Sequence, residues 1–327
     1  MSVTTAEPTA HPGRAGRPER RGLGAGMDLP WGAPIGFDPD DPGPNERVRN
    51  FLARHGADYA YYAFAFQPRG PVPLLAGHYL EPYRRLMEQL PAGTPVALHQ
   101  TMLNLGTVEP YDRGPVYEFT NELHRHFDWQ WVVEDLGMWS LGGIPMPYPL
   151  PPYLVEENVP HVAAGIREAM RELDPVLRVE FPGFTDGVTV VVGDMDAYDF
   201  FRRVAELSGT DVTLDVGHLL SWRWWRGERG AGLYADLDRL PLAQCTELHL
   251  SGSAISRDRF LDLHHGVLLD EQLVLAERLL ELCPRLEAVT YEDPNYDRSG
   301  RMVPKSLPNL ERLRKLVNQW AAANSSN

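Results

Sequence analysis

Short apolar runs that close on a metal-capable side chain recur along this chain, and the regularity of their spacing leaves few folds open. The runs are PVALH, closing on His99; WVVED, on Glu134 and Asp135; LRVE, on Glu180; VTLD, on Asp215; ELHL, carrying His249; and AVTYE, on Glu292. Successive donors are separated by between 34 residues (Asp215 to His249) and 45 residues (Asp135 to Glu180). That interval holds one strand, one helix and two loops, so each donor closes one β-strand of a repeating βα unit. In a (β/α)8 barrel such strand ends converge on one rim, where barrel enzymes carry out their chemistry.

Two further runs upstream, GLGAGMD and DYAYYAFAF, bring the strand candidates to eight. Most are near-continuous apolar stretches, as parallel strands buried on both faces require. Between them lie stretches with helical periodicity: NERVRNFLARHG, YLEPYRRLMEQL, VYEFTNELHRHF, LVEENVPHVAAGIREAMREL, AYDFFRRVAELSG, LDEQLVLAERLLELC and LPNLERLRKLVNQWAAA. GLYADLDRL is the candidate for the sixth crossover, and Gly56 and Gly209 stand where helices end. Eight alternating units imply a closed parallel barrel, the α/β (β/α)8 TIM-barrel class, over residues 23–322 as one domain.

The 327 residues, 43% of them hydrophobic, suffice for one such core. Residues 1–22, rich in Pro, Ala and Arg without apolar periodicity, are expected to be disordered, as are residues 323–327. The N-terminal segment has no apolar core of a signal peptide, and no run of about 18 apolar residues occurs, so a cytoplasmic protein without a membrane span is expected. Two cysteines, Cys245 and Cys283, read as reduced residues rather than a disulfide. A net charge of −14 disfavours nucleic acid as a partner.

The donor set extends beyond the strand ends. His218 follows Asp215 by three residues, and SGSAISRDRFLDLHHG after the seventh strand supplies Asp262 and His264, alternate residues that point the same way in extended backbone. The metal-ligand candidates are therefore His99, Glu134, Asp135, Glu180, Asp215, His218, His249, Asp262, His264 and Glu292. His265 is a candidate outer partner or substrate contact. So many mixed carboxylates and imidazoles suit about two or three ions bridged by carboxylates. Cations at the centre would also relieve repulsion among the converging carboxylates, although arginines at the barrel mouth could pair with some of them.

Two connections are unusual. GGIPMPYPLPPYL (142–154) carries five prolines and reads as a stiff, extended loop. SWRWWRGERG (221–230) reads as a loop after the sixth strand, in which Trp222, Arg223, Trp224 and Arg226, beside Trp225, either cover the rim or line a substrate entrance through stacking and cation–π contacts.

The order of these motifs resembles the xylose-isomerase-like barrels that include endonuclease IV. Glu180, Asp215-x-x-His218, His249, Asp262-x-His264 and Glu292, with His99 upstream, are similar to that enzyme's trinuclear site. Within this superfamily, VALHQTMLNLG, VEDLGMWS with the MPYPLPPYL segment, ELHLSG and YEDPN resemble the motifs of the multinuclear non-haem iron-dependent oxidative enzymes, from about Gly22 to Leu310. The chain departs from that family in four places. It has Glu134-Asp135 for Glu-His, Glu180-Phe181 for Glu-Asn and Asp215-Val216-Gly217-His218 for Asp-Val-Asn-Asn, and no His in its second strand.

The resemblance implies an oxidoreductase of natural-product biosynthesis. It would hold iron ions, with Mn or Zn as other occupants, and use O2 on a peptide or small amino-acid-derived substrate, with a leader-binding partner protein. Other readings of the same donors are a metal-dependent sugar isomerase or epimerase, an endonuclease IV-like hydrolase, and a non-catalytic barrel that binds metal for stability or acts as a scaffold. An endonuclease would call for a basic face, which the acidic balance argues against.

Overall fold

The computed structural model describes residues 19–29, 43–66, 74–184 and 189–323. The segments expected to be disordered therefore fall largely outside the described residues. Eight parallel strands close into a barrel: β1 (Leu23–Met27), β2 (Tyr62–Phe66), β3 (Val96–Gln100), β4 (Val132–Asp135), β5 (Leu177–Glu180), β6 (Asp211–Asp215), β7 (Cys245–Leu250) and β8 (Ala288–Glu292). Each pairs with its sequence neighbour, and β8 returns to β1 with Gly26 opposite Glu292. A helix follows every strand: α1 (Gly43–His55), α2 (Gly77–Met87), α3 (Gly114–Phe127), α4 (Asn158–Glu172), α5 (Ala197–Ser208), α6 (Val216–Trp225), α7 (Asp270–Leu282) and α8 (Leu307–Ala322). The eight-unit reading of the sequence holds.

The strands obey the two-residue alternation of extended backbone, and this decides what faces the barrel axis. Adjacent register pairs such as Asp135 with Glu180 and Asp215 with His249 set the donor residues side by side at the strand ends. One pleat lower, Tyr61, Ala63, Ala97, Trp131, Val133 and Ala288 form a small separate cluster that fills the interior. Gly24 is required there, because a Cβ on it would lie 2.2 Å from the Tyr61 ring. The large apolar core lies outside the sheet, under the helices.

Three expectations are corrected. Residues 142–154 are not a plain extended loop: Met138–Leu141 and Ile144–Leu150 pair as an antiparallel hairpin. Its prolines are tolerated because an edge strand does not need every N–H. Asn104, at φ 50°, fastens the hairpin: its side-chain oxygen accepts the Trp139 amide at 2.6 Å and its amide donates to Ser140 Oγ at 2.8 Å. The sixth crossover is not GLYADLDRL, which forms two short 3₁₀ turns, but α6, which covers much of the stretch read as a Trp/Arg loop. Both glycines stand where helices end, as read: Gly209 follows α5 in the left-handed region at φ 73°, and Gly56 follows α1 with its amide donating to the Leu52 carbonyl, in a place so close that a Cβ would meet the Leu52 and Gln89 carbonyls below 3 Å.

Candidate metal centre

The strand ends deliver His99 (β3), Asp135 (β4), Glu180 (β5), Asp215 (β6), His249 (β7) and Glu292 (β8) to one rim, all buried. His99, Glu180, His249 and Glu292 form a compact group in which one donor atom from each lies within 4.8 Å of the others. His99 Nε2 is 2.9 Å from Glu180 Oε2, and His249 Nδ1 is 3.1 Å from both Glu180 Oε2 and Glu292 Oε1. A second group, Asp135, Glu180 and His218, meets the same limit and shares Glu180. Glu180 Oε1 faces this side, 3.7 Å from His218 Nδ1. Glu180 thus belongs to both groups, while His218 Nδ1 is engaged by the Phe181 carbonyl at 2.8 Å and its Nε2 is the nitrogen on the Asp262 side.

The outer members extend the chain of contacts. Asp262 Oδ2 is 3.3 Å from His218 Nε2 and 3.7 Å from His264 Nε2, while its other oxygen accepts from Ser251. Asp215 accepts the His218 amide with Oδ1, as the N-cap of α6, and its Oδ2 is left buried without a hydrogen-bond partner.

Glu134 separates from this set. Being adjacent to Asp135 on β4, it points to the opposite face, where Oε1 and Oε2 accept the backbone amides of Leu103 (3.0 Å) and Met102 (3.2 Å). The structure therefore brings Asp135, not Glu134, to the donors.

Electrostatics follow from the geometry. Burial works against a charged His99, yet Glu180, Glu292 and Asp135 outweigh it and raise its pKa to about 9. Burial likewise opposes the charge on Glu180, but His249 and His99 prevail and hold the carboxyl well below its usual range. Burial raises Asp215 to about 7 against the pull of His218, and Asp262 and Glu180 add to the rise. Burial raises Asp135 to about 6, with Glu180 adding and His99 and His218 opposing. On its own groups the site balances carboxylates by protonating imidazoles, a role that bound cations would take over by displacing those protons.

The donors fit metal ions by chemistry as well as position. His99 Nδ1, Glu180 Oε1, Asp215 Oδ2 and both ring nitrogens of His249 are buried with no hydrogen-bond partner. Such buried polar atoms without partners are costly unless a proton or a cation there meets them. Mixed imidazole and carboxylate donors suit Fe, Mn and Zn.

Sequence reasoning missed several participants. Asp293, after β8, lies with Oδ2 2.5 Å from His264 Nδ1 and accepts the Asp28 amide with Oδ1. Asp28, His265 and Asp293 form a third group of donors within 4.8 Å. His265, singled out as an outer partner, has Nδ1 3.3 Å from the Pro294 carbonyl. Arg178 and Glu247, two residues before Glu180 and His249 on their strands, are buried together. A charged residue recurring at period two inside an apolar strand was the available signal.

The four candidate substrate contacts belong to α6 and its C-cap. Trp222, Arg223 and Trp224 are buried, with Arg223 paired to Asp236 (3.1 Å) and the Trp224 indole donating to the Asp258 carbonyl (3.0 Å). Arg226 pairs with Asp196 at 3.1 Å. The expected entrance lining is thus a packed helix on whose outer end only Arg226 and Trp225 are open to solvent.

A protein-family model described as "RiPP precursor modification enzyme MbnB/TglH/ChrH" matches residues 74–305. Among solved structures, the chain is similar to endonuclease IV from Thermus thermophilus, at 18% identity over 91% of this chain and 99% of that one, with a TM-score of 0.49. It is also similar to a xylose isomerase domain protein from Alicyclobacillus acidocaldarius subsp. acidocaldarius, at 17% identity over 93% and 99%, with a TM-score of 0.47. No curated protein matches the chain. Among the described residues, no helix is long and apolar enough to cross a membrane.

Proposed function

Because this chain belongs to the MbnB/TglH/ChrH family of RiPP precursor modification enzymes, we propose that it is a multinuclear iron-dependent oxidative enzyme that uses O2 to modify a peptide precursor. The observation that carries the reading is Glu180, which belongs to two overlapping groups of converging donors, His99, Glu180, His249 and Glu292 on one side and Asp135, Glu180 and His218 on the other. In this reading His99, Glu180, His249 and Glu292 hold one ion and Asp135, Glu180 and His218 hold a second. Asp215, Asp262 and His264 complete the surroundings of a further position. Bound iron supplies redox electrons and Lewis acidity for O2 chemistry on a thiolate or amide of the peptide.

The chain's own contribution is orientation and exclusion of water. The interior plug of Tyr61 and Trp131 fills the barrel beneath the donors, so in this reading the substrate approaches them from the rim. Six of the donors, His99, Asp135, Glu180, Asp215, His249 and Glu292, sit on barrel strand ends, which fixes them more firmly than loops would. His264, with its Nδ1 engaged by Asp293, keeps Nε2 directed to the Asp262 side.

The deciding experiment counts metal per chain in anaerobically purified protein and follows O2 uptake with candidate precursor peptides. About two or three irons and peptide-dependent O2 consumption are expected. Product formation without O2 on Mn2+ or Zn2+ would move the assignment to isomerase or hydrolase chemistry. Absence of bound metal would overturn it.

A further inference from the structure

Directly below His249 lies a set of charged groups that the proposed metal centre does not use. Glu247 is fully buried, and its Oε1 lies 3.1 Å from His249 Nε2, at ion-pair distance though off the line of a hydrogen bond. The same oxygen accepts the Thr290 hydroxyl at 2.7 Å, and the Tyr61 hydroxyl lies 2.7 Å from Thr290 Oγ1. Glu247 Oε2 accepts from Arg178 at 3.1 Å. Arg178 is itself fixed by a second carboxylate, Glu287, at 2.8 Å, and by the Trp131 ring 4.1 Å from its guanidinium carbon.

Such a set is poor material for stability. Taking an arginine and a carboxylate out of water costs more than their attraction returns unless the geometry is exacting, and apolar residues of similar volume often do as well. What the set does is present a fixed anion to one nitrogen of one imidazole. The other nitrogen of that ring faces Glu180 and Glu292.

We infer that Arg178, Glu247 and Thr290 form a positioning relay that keeps the His249 proton on Nε2 and so commits Nδ1 as the metal-binding atom. The inference rests on the metal-centre reading above and adds to it which nitrogen ligates and what holds the ring. Thr290 donates to Glu247 and Tyr61 to Thr290, so every proton in the relay has a direction. Glu247 is a positioning residue, since it reaches the metal position only through His249.

The test compares the full chain with its Glu247→Gln variant, loaded with Zn2+ as a diamagnetic probe. Zinc affinity is measured by chelator competition, and the His249 ring by long-range proton–nitrogen NMR, which distinguishes the two tautomers. Wild type should show a metal-bound Nδ1 and a protonated Nε2. The variant should bind zinc about 10- to 100-fold more weakly, the usual effect of losing an outer carboxylate. Should Glu247→Gln fail to fold, Thr290→Val, which keeps the volume and removes only the hydroxyl, should shift affinity the same way by less. Unchanged affinity and tautomer in the variants, or coordination through Nε2 in wild type, would overturn the relay. A wild-type chain that takes up no zinc would instead overturn the metal-centre reading itself.

Discussion

Asp215 ends strand β6 and caps helix α6 with the same carboxylate, its Oδ1 accepting the His218 backbone amide at 2.6 Å. The spacing Asp-x-x-His is therefore the spacing from an N-cap to the third helical residue, whose amide the cap satisfies. One side chain thus fixes both where the helix begins and where the His218 ring enters the donor cluster.

Replacing this residue should separate the two roles. Asp215→Asn keeps a capping oxygen and Asp215→Ala does not, so the alanine variant should be less stable than the asparagine variant by about 1 kcal/mol in chemical denaturation. Both should bind less metal than wild type, by chelator competition. Equal stability of the two variants would remove the cap from the account.

Neighbouring Glu134 and Asp135 should give opposite phenotypes. Glu134→Ala leaves two buried amides, those of Met102 and Leu103, without their acceptor and should cost about 1–3 kcal/mol per unsatisfied group, with metal stoichiometry retained in the folded fraction. Asp135→Ala should lower metal content while sparing stability. Metal analysis and denaturant titration on the same preparations read both. A loss of metal in Glu134→Ala equal to that in Asp135→Ala would undo the distinction.

The pH dependence of the chelator-treated protein has a defined sign. His99, raised to about 9 in the fold from an ordinary 6.5, adds stability that is complete below 6.5 and lost as pH rises through 9. Asp215, raised to about 7 from 3.8, also holds its proton more tightly when folded, and that contribution is lost as pH rises through 7. The folded state binds more protons over this window, so both groups lower stability between about pH 6 and 9. Melting temperature measured across that window should fall for chelator-treated protein and fall less for metal-loaded protein, in which the cations replace the protons. A rise in the chelator-treated series would contradict the raised values.

The sequence disclosed the barrel because eight apolar strands recur with amphipathic helices between most of them, and it disclosed six of the donors because they sit at the ends of those strands. It concealed α6 for a physical reason. Val216, Leu219, Leu220, Trp222 and Trp224 are buried around nearly the whole helix, so no polar face marks its period. The prolines of 142–154 masked a hairpin whose strands do not need all their amides. Between Glu134 and Asp135 only the register of β4 decides, and the relay under His249 was hidden by charges that pairing makes compatible with burial.

Gly24 is far from the rim in sequence and carries no chemistry, yet it leaves the volume that the Tyr61 ring takes. A bulkier residue there would push the phenol away from Thr290, loosen Glu247 and reach the His249 imidazole across the barrel, since Gly24, Thr290 and His249 lie in one register row. A defect in activity could thus arise from a position on β1 that touches no donor, transmitted through a column of hydroxyl and carboxylate neighbours rather than through the rim.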